Sequence, residues 1–322
     1  MSVRSRANPW KTGVAILAGC CLAWNLWERG IPFKWLDGGR GGSSRVAAGM
    51  INPVTGKNFE PSWRIAEFLP EAMDFYVSVE NLLGSKLWHP LPVVRLARAD
   101  KEWRKIQSKL DRPEVARWVV GEVIAPEGWA GAVELTGGGR LDTRAFIEGS
   151  WDFLKGRGVQ CEEREAGEVA AGEIRCEGAL GLMAGHCGPH RCAKGEILTV
   201  RADWDESRIR IGAGGWLVPC GGGIFRVGST YDWNELDEIP TVTGRTKVEE
   251  IARQLGGDDF EVIGHDAGIR PILRRSEPLI GPLEIEGAWM LTVSARKDRC
   301  MRRGWRGGSR IGWWMARCPK LI

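Results

Sequence analysis

The stretch that most constrains this chain lies between residues 13 and 37. Residues 13–17 are short and apolar and predict a buried strand. Residues 20–29 predict a helix, with Gly30 as its stop, and residues 31–36 alternate and predict a second strand that ends on Asp37. Strand, helix, strand and acid, in that order, open a dinucleotide-binding fold. A carboxylate at the end of the second strand accepts hydrogen bonds from both ribose hydroxyls of an adenosine. Taken alone, an Asp there is equally well a turn-capping residue.

The turn after the first strand departs from the pattern. A dinucleotide-binding turn reads G-x-G-x-x-G, so that the chain turns tightly and a pyrophosphate reaches the helix N-terminus. Here the chain reads Leu17-Ala18-Gly19-Cys20-Cys21, and only Gly19 stands for one of those glycines. With the strand at 13–17, the turn is short by roughly four residues. The same segment has a second reading. Residues 1–11 are basic, residues 13–24 are apolar, and Leu17-Ala18-Gly19-Cys20 resembles a bacterial lipoprotein cleavage box with Cys20 as its anchor. The apolar run is too short to span a bilayer but suits a signal segment. The continuation into a second strand and Asp37 favours the buried strand.

Further along, Gly41-Gly42-Ser43-Ser44-Arg45-Val46-Ala47-Ala48-Gly49-Met50-Ile51-Asn52-Pro53 is dense in small residues. Small residues let a backbone pass close to a flat ligand, and Ser44 and Arg45 can meet phosphate. A bland surface loop is the alternative; the proximity to Asp37 favours the ligand. Residues 61–83 carry apolar side chains at helical spacing, and 141–155 and 247–255 also predict helices. Residues 88–94, 118–124, 158–161 and 173–176 predict strands. Residues 196–201, 216–219 and 224–229 are β-rich and suit a second, antiparallel sheet.

Charge excludes a general nucleic-acid surface. The net charge is +4, but residues 292–322 hold seven Arg and two Lys against one Asp, which is +8 and leaves −4 on the rest. Nine Cys, odd in number and irregular in spacing, predict reduced thiols and a cytoplasmic protein. His186-Cys187-Gly188-Pro189-His190-Arg191-Cys192 gathers metal-type ligands, but the spacing is irregular and no second ligand pair lies near. No metal is expected there. Gly268-Ile269-Arg270-Pro271 sets one Arg at a fixed turn, where it can clamp a carboxylate through two hydrogen bonds.

Several segments together resemble the D-amino-acid oxidase and glycine oxidase family of FAD-dependent oxidoreductases. They are Asp37 with residues 43–56, Gly139-Arg140-Leu141-Asp142-Thr143, Cys176-Glu177-Gly178-Ala179, Lys194-Gly195-Glu196-Ile197-Leu198, Trp216-Leu217-Val218-Pro219, Val227-Gly228-Ser229-Thr230-Tyr231 and residues 268–282. The resemblance covers residues 13–291. It implies an α/β fold, with a Rossmann-like FAD-binding domain (10–56, 140–195 and 262–322) interleaved with an antiparallel-sheet substrate domain (57–139 and 196–261). It implies that Asp37 binds ribose, that Gly19 faces the pyrophosphate, and that Ser44, Arg45, Ala48, Gly49 and Met50 line phosphate and flavin, with Gly178 also on the cofactor. It implies Arg270 on the substrate carboxylate and Trp216 as an aromatic wall, with Tyr231 in the same pocket. The expected chemistry is hydride transfer from an amine or amino acid to flavin, followed by hydrolysis of the imine and reoxidation by molecular oxygen. No nucleic-acid or membrane partner is expected.

The family continues Asn-Gly-Leu-Gly-x-Lys-Gly after a segment like Trp289-Met290-Leu291; this chain reads Thr292-Val293-Ser294-Ala295-Arg296-Lys297-Asp298. Those residues can be encoded ACG GTC TCG GCG CGA AAG GAT. One A restored in front gives AAC GGT CTC GGC GCG AAA GGA, which encodes Asn-Gly-Leu-Gly-Ala-Lys-Gly. The basic, Trp-rich tail is therefore compatible with a reading-frame slip. The alternatives are a degraded family member that keeps no FAD, the Cys20 lipoprotein, and a tRNA-modifying enzyme of the same fold. The −4 body charge and the lack of a fused methyltransferase domain count against the last.

Overall fold

The computed structural model describes residues 10–13, 17–38, 42–163, 167–186, 191–272 and 279–292. The chain divides into two compact units. One takes in the segments up to Gly42, Ala145–Cys192 and from Pro271 onward; the other takes in Ser43–Arg144 and Ala193–Arg270. Elements are numbered in chain order.

The first unit is built on a six-stranded sheet ordered β11-β2-β1-β12-β19-β18. Its strands are β1 (Trp10–Gly13), β2 (Phe33–Asp37), β11 (Gln160–Glu163), β12 (Glu173–Arg175), β18 (Leu279–Pro282) and β19 (Trp289–Thr292). All neighbours run parallel except β18 with β19. Helix α1 (Leu17–Glu28) connects β1 to β2, as a parallel pair requires. It ends in the way its sequence predicts. Gly30 donates to Trp27 O and Ile31 to Leu26 O, the paired bonds that satisfy the last carbonyls of a helix. Helix α6 (Thr143–Gly156) packs on α1. Trp24 stacks on Phe153 with centroids 5.0 Å apart, and its indole N–H donates to Ser150 Oγ at 2.8 Å. The short helix α7 (Ala179–Met183) follows β12.

The first strand corrects the sequence expectation. It ends at Gly13 instead of beginning there, and the helix begins at Leu17 instead of residue 20. The apolar run is continuous, so periodicity could not place the boundary. Pairing with both β2 and β12 places it.

The second unit holds three sheets. The largest is ordered β17-β13-β16-β15-β14-β7-β9-β8. Its strands are β7 (Val93–Ala97), β8 (Val119–Val123), β9 (Gly131–Leu135), β13 (Ala193–Arg201), β14 (Ile209–Gly212), β15 (Gly215–Gly221), β16 (Ile224–Gly228) and β17 (Glu261–Arg270). A small sheet joins β3 (Met50–Ile51), β10 (Gly139–Leu141) and β6 (Trp88–Pro90), and β4 (Val54–Thr55) pairs with β5 (Glu60–Pro61). The helices are α2 (Ser43–Val46), α3 (Ile65–Leu83), α4 (Asp100–Leu110), α5 (Pro113–Ala116) and α8 (Val242–Leu255). The strand expected over 88–94 is thus two strands in two different sheets. The antiparallel character holds throughout the large sheet except for β7 with β14.

Alternation along β13 and its neighbours separates the two faces of the large sheet. Leu198, Val200, Leu217, Phe225 and Val227 point to one face and form a core with Val248, Ala252 and Leu255 of α8. That helix starts five residues earlier than its sequence predicts, at Val242 and not residue 247. Thr241 Oγ1 accepts from Gly244 N at 2.9 Å, and the buried Glu196 carboxylate accepts from Thr241 N and from its hydroxyl, both at 2.8 Å. A Cβ on Gly244 would lie 2.1 Å from Glu196 Oε1, so the glycine that argues against a helix leaves room for the carboxylate that caps it.

Candidate active site

The opposite face of the large sheet carries two of the candidate site residues, Trp216 and Arg270. Trp216 pairs with Gly228, which pairs with Ile197, so these three share one face. Gly195, two residues before Ile197, lies on that face too. Arg270, at the end of β17, lays its guanidinium over Gly195. A Cβ built on Gly195 would sit 1.8 Å from Arg270 Nη2 and 2.1 Å from its Cζ. The site of the cation is therefore the missing side chain of Gly195. Arg270 Nη1 donates to Thr230 O at 3.0 Å, and its Cζ stands 4.3 Å from the centroid of Tyr231.

The segment that carries Thr230 and Tyr231 is itself fastened to β13. Glu196 N donates to Thr230 Oγ1 at 2.9 Å, and Lys194 and Asp232 exchange both backbone hydrogen bonds. Burial pushes the Arg270 guanidinium below its ordinary pKa, and Tyr231 offsets part of that shift. A guanidinium does not deprotonate in proteins, so the group remains a charged fork. One of its N–H donors is spent on Thr230, and the fork can still meet a planar anion.

Tyr231 lies beside Arg270. It is 51% exposed, with the guanidinium against its ring and Trp233 stacked at 6.1 Å. Its contacts make it a support for Arg270. Trp216 lies over Gly228, where a Cβ would come within 2.8 Å of the indole. The supporting residues Gly195, Thr230 and Trp233 were not singled out from the sequence as site residues. A glycine inside a strand between Lys194 and Glu196 was the available signal, since it marks a close approach.

The small-residue segment 43–50 belongs to this same unit. Ser44 and Arg45 lie in α2, Ala48 is buried, and Met50 pairs with Arg140 across β3 and β10. Gly49 has φ +67°, and a Cβ there would be 1.8 Å from Leu141 O. That glycine serves a close passage of two backbones, closed by Leu141 N donating to Gly49 O at 2.9 Å.

The remaining residues belong to the first unit. Asp37 closes β2 and is only 5% exposed. Gly178 stands before α7 with φ 54°. Gly19 is buried in the first turn of α1. β1 ends at Gly13 and α1 begins at Leu17. Residues 14–16, where the shortened glycine turn expected from the sequence would pass, lie outside the described residues. Cys20, the residue of the lipoprotein-like box, is 0% exposed within α1.

Residues 187–190 of the Cys/His stretch and residues 293–322 of the tail also lie outside the described residues. His186 Nδ1 is 2.8 Å from Glu177 Oε2, and Glu177 is held in turn by the buried Arg175. Among the described residues no cluster of His, Cys, Asp and Glu could hold a metal ion, and no helix is long and apolar enough to cross a membrane.

Comparison with known proteins adds two findings. The family model described as FAD dependent oxidoreductase, DAO, matches residues 17–297. Among solved structures, the fold is similar to glycine oxidase from Geobacillus kaustophilus (TM-score 0.71, 18% identity, 88% of each chain covered). It is similar to glycine oxidase from Bacillus cereus (TM-score 0.75, 16% identity, 89% of this chain and 90% of that one). It is also similar to iminodiacetate oxidase from Chelativorans sp. (TM-score 0.70, 17% identity, 88% and 89%). At these identities the likeness is one of fold.

Proposed function

Because the chain belongs to the DAO family of FAD-dependent oxidoreductases, we propose that it oxidises an amino acid, or an amine bearing a carboxylate, and that Arg270 grips that carboxylate. The observation that carries the proposal is the seat of Arg270. A half-buried guanidinium stands over bare backbone, fixed by a carbonyl and an aromatic ring, with no carboxylate partner among the described residues. A structural ion pair would supply such a partner.

The residues present fit FAD at its adenosine end. Asp37 is a buried carboxylate at the carboxyl end of β2, beside β1 in a parallel sheet, which is where a ribose acceptor belongs. Gly19 and Gly178 would lie along the dinucleotide, and Ser44, Arg45, Ala48, Gly49 and Met50 would face phosphate and flavin. When bound, FAD supplies the acceptor for a hydride from the substrate α-carbon. The protein's part is orientation. Arg270 fixes the carboxylate in two hydrogen bonds, which sets the direction of the adjoining C–H bond. Trp216 limits the space beside it and excludes water. No protein acid or base is assigned a role. Molecular oxygen is the proposed final acceptor.

A second reading, a family member that holds FAD weakly, is favoured by one observation. Only Gly19 answers to the three fingerprint glycines, which leaves less bare backbone for a pyrophosphate to approach. The changed sequence from Thr292 onward points the same way. The visible spectrum of purified protein titrated with FAD separates the two. Bound flavin absorbance supports the oxidase, and protein that stays colourless supports the second reading. Sequencing the gene through the Thr292 codon tests the frame slip; an unbroken frame shared by close relatives with the same tail would overturn it.

A further inference from the structure

Arg226 lies on the same face of the large sheet as Trp216, two residues before Gly228. The mechanism above gives it no part, yet it makes more side-chain bonds than Arg270. Its Nη1 donates to Thr199 Oγ1 at 2.9 Å and to Asp266 Oδ2 at 3.0 Å. Its Nη2 donates to Val46 O at 2.5 Å, across 180 residues of sequence. Val46 is the last residue of α2, so the guanidinium satisfies a carbonyl that a helix end leaves without an internal partner.

A second, steric contact accompanies the polar one. A Cβ on Gly268 would lie 2.6 Å from Val46 Cγ2 and 3.1 Å from Ser43 Cα, so α2 rests directly on the backbone of β17. On the other flank, Thr143 Oγ1 reaches Ala47 O at 3.5 Å and Leu141 N reaches Gly49 O at 2.9 Å. The segment 43–49 is thus pinned from both sides, and Arg226 is the charged member of the set. The same strand, β16, leads directly into Thr230 and Tyr231, which hold Arg270.

We propose that Arg226 is a positioning residue for the cofactor: it fixes Ser43–Gly49 as a preformed seat, so that Ser44 and Arg45 meet the dinucleotide without first being ordered. This rests on the proposal that residues 43–50 line FAD. A preformed seat spares the ordering cost of binding, so its loss appears as weaker cofactor affinity before it appears as lost stability.

The test compares wild type, Arg226→Met, Arg226→Lys and Asp266→Asn in two measurements. Amide exchange is followed over residues 46–50 in protein freed of flavin, and FAD affinity is followed by quenching of flavin fluorescence. Arg226→Met is expected to speed exchange at Ala47–Gly49 and to raise the FAD dissociation constant about tenfold, the size of one charge-assisted hydrogen bond. Arg226→Lys, which keeps charge but cannot span three acceptors, is expected to fall between, and Asp266→Asn to change either by less than about threefold. The thermal midpoint of the flavin-free protein serves as the control. If Arg226→Met lowers that midpoint strongly while FAD affinity relative to the folded fraction is unchanged, the residue is merely structural and the proposal fails. Unchanged exchange at Ala47–Gly49 also overturns it. Wild type that binds no FAD while Arg226→Met still frees the segment would sink the cofactor role of residues 43–50 but not the hold of Arg226 upon them.

Discussion

The two units differ in the glycines at their proposed ligand contacts. In the second unit four close approaches fall on a glycine: Gly195 beneath Arg270, Gly228 beneath Trp216, Gly268 beneath α2, Gly49 against Leu141. In the first unit the segment that should bring backbone to a pyrophosphate keeps only Gly19 of the three fingerprint glycines. The unit that carries Arg270 and residues 43–50 has glycine at these approaches; the segment proposed to meet the pyrophosphate has lost most of its glycine. Activity and cofactor retention should therefore separate under mutation.

The largest expected effect is on the intact side. Arg270→Met should cost about 3–4 kcal/mol of carboxylate recognition, or roughly 100- to 1000-fold in the dissociation constant of a carboxylate ligand, read by perturbation of the flavin spectrum. An unchanged constant would remove Arg270 from the site. Next comes Gly49→Ala, which forces a side chain into Leu141 O at positive φ. It should destabilise the chain by about 2–3 kcal/mol and lower the thermal midpoint by several degrees. A midpoint within a degree of wild type would show that the backbone relaxes there.

Gly195→Ala should lift the guanidinium without unfolding the sheet. A rise of roughly tenfold in KM for a carboxylate substrate, at unchanged flavin content, is the expected outcome. Equal loss for an amine lacking the carboxylate would contradict the carboxylate role. The smallest effect is expected from Thr241→Ala, which removes the α8 cap at a cost of about 1 kcal/mol, measurable by urea denaturation and not in FAD affinity.

Much of this was legible in the sequence because it is local. Asp37 at a strand end, Gly30 as a helix stop and the helix over 65–83 follow from turn chemistry and apolar period, which need no distant partner. The supports of the site were not legible. Gly195 and Arg270 are 75 residues apart and Arg226 and Val46 are 180 apart, and neither pairing has a local signature. The start of α8 was misplaced for the same reason, since Gly244 and three β-branched neighbours weaken local helix propensity while Glu196, 45 residues away from Thr241, supplies the cap.

The sequence by itself determined the family, the α/β class and the residue types available for a carboxylate and a dinucleotide, because those depend on order and spacing along the chain. It also determined that a turn meant for pyrophosphate has only Gly19 of its three glycines. Only the tertiary structure decided that the first strand ends at Gly13, since strand pairing, not hydrophobicity, sets where an apolar run stops being strand. Only the tertiary structure decided that Tyr231 supports Arg270 and that Arg226 holds α2, because both depend on which strands lie side by side and on which face of the sheet each side chain emerges.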